Sequence, residues 1–256
     1  MVFRAQWPCS IFIYLAAAAS LSGQPQTMVP TSSEIITQMA QAQAANHALF
    51  LSYTVRRDYK LFEGKTTGLP KSHVVADITV VPPNFKKYAI ENAAGSGLAE
   101  KIVRKALDSE VDFAKDSGAA DITSENYDFV LVGQDDQDGQ RCYVLELIPR
   151  RKSRNLLNGT LWVDTDTHLP HRVEGVPAKN LSWWLTDVRI SLFYGYVGPM
   201  WVQISSTATA NVRVLGPSSM AWQDMSYQLG NLAPGTSLAQ TIIPVGDTGS
   251  KSHRYP

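Results

Sequence analysis

The chain has 256 residues, with 23 basic and 23 acidic side chains, and only 18% of it is charged. That balance argues against a nucleic-acid partner held through a broad basic surface. The two cysteines, Cys9 and Cys142, leave no internal disulfide once an N-terminal leader carrying Cys9 is removed, so stability must come from an apolar core.

Arg4 precedes an apolar run from Ile11 to Ala19, and the small residues Ser20 to Gly23 follow. This order predicts a secretory signal over residues 1–22, cleaved near Ser22 or Gly23, and hence a periplasmic protein. The run falls short of the roughly 20 apolar residues that span a bilayer, and no later segment is apolar enough, so no transmembrane segment is expected in the mature chain. No cysteine follows the run where a lipid anchor would be attached. Residues 23–30, polar and Pro-containing, read as a linker.

Thr31 with Glu34 three residues on makes a capping-box pattern, and the Ala/Gln-rich stretch beyond it predicts a helix, although its apolar residues form no clean stripe. Phe50–Lys60 and His73–Val81 read as strands, Pro82-Pro83 ends the second, and Phe85–Glu91 starts a third. Leu98, Ile102 and Ala106 lie four apart beside Val103, Leu107 and Val111, opposite Glu100, Lys101, Arg104, Lys105, Asp108 and Asp112. That spacing predicts an amphipathic helix stopping at Gly118.

From Tyr127 onward the pattern is a meander of strands. Tyr127–Gly133 and Arg141–Ile148 flank Gln134–Gly139, read as an exposed hairpin loop, since the calcium-loop ligands beyond its aspartates are missing. Leu157–Val163, His171–Gly175, Trp183–Tyr196, Trp201–Asn211 and Met220–Leu229 complete the set. Alternation from Trp183 assigns Trp183, Leu185, Asp187 and Arg189 to one face and Trp184, Thr186, Val188 and Ile190 to the other. Residues 231–256 read as a flexible C-terminal tail.

No nucleophile elbow, H-E-x-x-H, phosphate-binding loop or zinc-type cysteine pair is present. His168 and His171, separated by Leu169-Pro170, lack acidic or thiolate partners in sequence and make a weak metal motif. Cys142 reads as a small buried residue. No catalytic residue, metal or cofactor is assigned, and the chain is expected not to be an enzyme. Five tryptophans on the strands, Trp162, Trp183, Trp184, Trp201 and Trp222, either fill a core or line an apolar hollow.

The runs Tyr127–Gly133, Cys142–Arg150, Leu161-Trp162-Val163-Asp164 and Pro170–Gly175, in this order after a helix, resemble the superfamily of periplasmic outer-membrane lipoprotein-sorting carriers (LolA/LolB-like lipoprotein localisation factors). The resemblance covers residues 31–230. It implies an α+β fold: an incompletely closed antiparallel β-barrel or curved sheet with helices covering its concave apolar face. It also implies a carrier for lipid or for the acyl chains of lipoproteins, with an envelope protein as a further partner. Leu98, Ile102, Leu107, Trp162, Trp183 and Trp201 are the residues expected to line its apolar hollow. A lipid- or envelope-sensing regulatory domain of the same fold, or an exported enzyme, are the alternatives.

Overall fold

The computed structural model describes residues 30–66, 68–95, 97–115, 118–213, 216–230 and 242–244. The signal expected over residues 1–22, the linker up to residue 29 and most of the C-terminal tail lie outside them. At the start of helix α1 (Ser32–Ala48) the capping box forms as the sequence predicts. The Thr31 backbone N–H donates to Glu34 Oε2 at 2.7 Å, and the Glu34 N–H donates to Thr31 Oγ1 at 3.3 Å. Only Ile35 and Met39, one turn apart, are buried, which is why no longer apolar stripe is visible in its sequence.

Three strands follow, β1 (Tyr53–Glu63), β2 (Ser72–Val81) and β3 (Phe85–Ala94), and then helix α2 (Gly97–Lys115). The meander comprises β4 (Tyr127–Gln137), β5 (Gln140–Pro149), β6 (Leu157–Asp164), β7 (Pro170–Pro177), β8 (Leu185–Val197), β9 (Met200–Val212) and β10 (Gly216–Leu229). Within β1–β3 and within β4–β10 neighbours in sequence are antiparallel neighbours in space, and β10 returns to pair with β1. The resulting order is β3-β2-β1-β10-β9-β8-β7-β6-β5-β4, a curved sheet whose edges β3 and β4 do not meet. A short strand, β11 (Ile242–Pro244), pairs with Ser226–Gln228 of β10. Since β1 occupies one edge of that segment, β11 takes the other, where pairing with β9 has ended at Gln223.

Residues directly opposite one another in an antiparallel pair project from the same face. Register therefore carries one row across nine strands: Val74, Tyr59, Trp222, Ser206, Leu192, Val173, Leu161, Leu145 and Leu131. Eight of these nine are apolar or aromatic. At one end the row packs with Val103 and Leu107 of α2, at the other with Ile35 and Met39 of α1. Both helices thus lie on the same face of one continuous sheet.

Two sequence expectations shift. The segment Gln134–Gln137, expected as loop, continues β4, and the hairpin narrows to Asp138-Gly139 with φ of 55° and 86°. Positive φ at both central positions is the hairpin geometry that Asp-Gly favours. Strand β8 starts at Leu185, not Trp183, and a bulge between Thr186 and Arg189, with Asp187 at φ 54°, breaks the alternation. The parity read from Trp183 therefore does not carry through to Ile190.

Gly159 and Gly175 face each other across β6 and β7. A Cβ on Gly159 would collide with the Glu174 carbonyl oxygen, whereas one on Gly133 would meet open space. Gly159→Ala is expected to destabilise the fold by about 1–3 kcal/mol in urea denaturation, and Gly133→Ala by under about 0.5 kcal/mol. Equal, small effects would contradict this reading of the β6–β7 contact.

Candidate functional site

A face of ten strands, about 4.8 Å apart and about 10 residues long at 3.3 Å each, measures roughly 43 by 33 Å. Helices of 17 and 19 residues, about 10 Å wide with a rise of 1.5 Å per residue, cover roughly 10 by 26 and 10 by 29 Å. Curvature narrows the face further, and its middle is left only half-buried beneath the two helices. Helix α2 packs on β2 and β3, while α1 reaches from β4 to β9. Between them lie Leu61, Ile190, Leu192, Ile204 and Met220, half-buried and apolar. Register aligns Leu61, Met220, Ala208 and Ile190 as a second row beside the first. This strip is the candidate binding surface.

One border of the strip is set by charge. Arg57 sits on the apolar side of β1 between Val55 and Tyr59 and is only 6% exposed. Its Nε donates to Asp224 Oδ1 at 2.5 Å, its Nη1 reaches Glu110 of α2 at 3.3 Å, and its guanidinium lies 3.5 Å from the Trp222 ring centroid. Lys86 Nζ meets Glu110 at 2.6 Å, and the Tyr227 hydroxyl donates to Asp224. Helix α2 is thereby fastened to β1, β3 and β10. Burial opposes the charge on Arg57, but Glu110 and Asp224 outweigh it and hold its pKa above the usual range. Burial likewise opposes the Glu110 carboxylate, and Arg57 and Lys86 outweigh it, so its pKa falls below the ordinary 4.5. Asp224 goes the other way, raised by burial against the pull of Arg57.

The six residues expected to line a hollow are divided. Leu107 is buried against the sheet and Ile102 half-buried on the same helix, bordering the strip, while Leu98 is 50% exposed at the start of α2. Trp162 and Trp201 project from the opposite face, because their neighbours Leu161 and Val163, and Met200 and Val202, are the ones in the core. Trp162 carries the Arg172 guanidinium 5.1 Å from its ring centroid. Trp183 is 76% exposed before β8, with Arg213 5.3 Å from its ring centroid. Trp184, not selected from sequence, lies 5.9 Å from Lys105 of α2. Arg57 and Glu110 were also not singled out. The signals were there: Arg57 has the parity of Val55 and Tyr59, and Glu110 falls three residues after Leu107 on the buried arc.

Two shallow cavities open elsewhere. One, of about 210 Å³, includes Asp58, Lys60, Thr207 and Gln223. The other, of about 360 Å³, is lined by Gln140, Asp164, Asp166, Thr167, His171, Tyr196 and Trp201. Cys142 is buried, and burial with nearby Asp164 pushes its thiol up to about 12, which leaves it uncharged and unreactive at neutral pH. Among the described residues no helix is long and apolar enough to cross a membrane.

A family model described only as "Uncharacterized protein" matches residues 108–227, just under half of the chain. No curated protein matches the sequence. Among solved structures, a domain described as an outer membrane lipoprotein-sorting protein from Vibrio parahaemolyticus is 14% identical, with 79% of this chain and 95% of that one covered and a TM-score of 0.42. A DUF1329 family protein from Desulfovibrio piger is 14% identical, covering 82% and 96%, with a TM-score of 0.41. A LolA superfamily protein from Nitrosomonas europaea is 11% identical, covering 80% and 96%, with a TM-score of 0.37. At these scores the likeness is one of general layout and decides nothing about what this chain binds; its fold rests on the strand order and register above.

The pKa directions give a pH test. Glu110, with its folded-state pKa below 4.5, brings stability that is present above about pH 4.5 and is lost as pH falls through the lower folded value. Asp224 has the opposite sign and favours the fold as pH drops. Glu110→Gln is expected to melt below the wild type at about pH 7, with the gap closing as pH falls below about 4.5. A gap that stays constant over this range would contradict a role for the Glu110 charge.

Proposed function

We propose that the protein is an exported, periplasmic carrier or binding protein for lipid or for the acyl chains of lipoproteins, and that it is not an enzyme. The signal-like N-terminus supports export, and the sequence resemblance to lipoprotein-sorting carriers supports the ligand class. One observation carries the reading: the strip Leu61, Ile190, Leu192, Ile204 and Met220 is apolar yet only half-buried, on the helix-bearing face between α1 and α2. An acyl chain is a physical match for such a strip, since each methylene buried contributes about 0.8 kcal/mol and no directional bond is needed. On this reading the strip is the floor of a concave hollow, with α1 and α2 as its walls. The Glu110 contacts to Arg57 and Lys86 set how far α2 can swing when ligand enters or leaves, and release to an envelope protein partner would draw on that movement.

The test is binding of a fluorescent polyunsaturated fatty acid to the mature protein. Leu192→Glu, which places a charge in the strip, should weaken binding at least about tenfold. Val130→Glu, at an exposed position on β4, should leave it within about twofold. Matching losses in the two variants, or no saturable binding by the wild type, would sink the proposal.

A further inference from the structure

The cavity of about 360 Å³ beside Trp201 lies apart from the apolar strip and has a built character of its own. Trp201 is fixed at three points. Its backbone N–H donates to Asn46 Oδ1 at 2.7 Å, and its carbonyl accepts from Asn46 Nδ2 at 2.8 Å. Its indole Nε1 donates to the Pro170 carbonyl at 2.7 Å. Tyr196 meets the indole edge to face, with centroids 4.6 Å apart and planes at 73°, and the His171 ring stands 6.5 Å away. Tyr196 is 60% exposed although it sits on a rigid hairpin, so an aromatic corner opens to solvent. His171 Nδ1 is buried with no hydrogen-bond partner.

Acid surrounds this corner. Asp164 is locked in its turn by the backbone N–H groups of Asp166 and Thr167 at 2.9 and 2.7 Å, and Asp166 and Gln140 line the same cavity. Asp135 and Asp136 on the adjoining β4–β5 hairpin are near enough, with Asp164, to raise the Cys142 pKa by charge. Of the two arginines nearby, Arg172 on β7 is paired with Glu174, and exposed Arg141 on β5 stands opposite Asp136. Rings whose faces are negative, set beside Asp164 and Asp166, which have no ion pair among the described residues, attract a cation twice over, through the ring quadrupole and through Coulomb attraction. An anion would be repelled, and an uncharged apolar group would gain nothing from the acids.

We propose that this cavity binds a small organic ammonium ion, either free or as the headgroup of a lipid. The probes are tetramethylammonium and choline, followed by chemical-shift titration of the indole N–H signals, with the neutral carbon isostere of choline as control. Tyr196→Leu and Asp166→Asn change solvent-facing side chains, and their thermal melting checks that the fold is kept. Saturable binding of both cations is expected. Each substitution should weaken it about three- to tenfold, and the neutral isostere should bind at least about threefold more weakly than choline. No saturable shift, equal binding of the isostere, or unchanged affinity in both variants would overturn the proposal. Once ion binding is established, cosedimentation with phosphatidylcholine vesicles that Tyr196→Leu abolishes assigns the ion to a lipid headgroup. Cosedimentation that is absent, or indifferent to the substitution, assigns it to a free amine.

Discussion

A ten-stranded sheet has more apolar face than two helices can bury, and this imbalance governs the rest of the molecule. The row from Val74 to Leu131, broken only by Ser206, shows that the face was built apolar across nine of the ten strands, not only under the helices. In an ordinary layered fold each such residue would meet a covering element, because uncovered apolar area works against solubility. Here the middle strands keep Ile190, Leu192, Ile204 and Met220 half-buried. Curvature hides part of that area, and the proposed ligand hides the remainder.

The second constraint is electrostatic. A guanidinium inside an apolar cluster is costly unless each of its partners is in place, and a buried ion pair is a poor source of net stability compared with packed hydrocarbon. Arg57 has Asp224 and Glu110 as ion partners and Trp222 as a stacking surface, drawn from β10, α2 and β10 in turn. What the arrangement supplies is position: α2 can satisfy Glu110 in one place on the sheet. Removing Arg57 leaves buried Asp224 without an ion partner and Glu110 with Lys86 alone, so the group acts as a unit. The hydroxyls of Tyr53, pushed up to about 12, and of Tyr227, pushed higher still, stay protonated beside it for the same reason of burial.

Much of the architecture was readable from local pattern. Thr31 and Glu34 announced α1 because capping chemistry is local, and Leu98 through Ala114 announced α2 because an amphipathic period needs no partner to be seen. The strand alternation of β2 likewise transferred directly to burial. The pairing of β1 with β10 was not legible, since nothing local links Tyr59 to Trp222 across so long a separation. The bulge at Asp187 was missed because alternation carries no signal of its own interruption, and it overturned the face assigned to the start of β8. For the candidate site, Trp162 and Trp201 as chosen from sequence and the strip lie on opposite faces of the sheet. Trp162 and Trp201 sit between core residues of opposite parity, so they project from the face away from the helices. Leu192 and Ile204, with ordinary aliphatic side chains, carried no distinguishing mark.

The account's central claim is that the half-buried middle of the helix-bearing face receives an acyl chain. The most direct measurement is photolabelling of the mature protein with a fatty acid carrying a diazirine at its chain end, followed by peptide mapping of the adducts. The account predicts saturable labelling concentrated on β8, β9 and β10 at residues of the strip, among them Ile190, Ile204 and Met220. Labelling confined to the opposite face, around Trp162 and Trp201, or labelling that does not saturate, would contradict it.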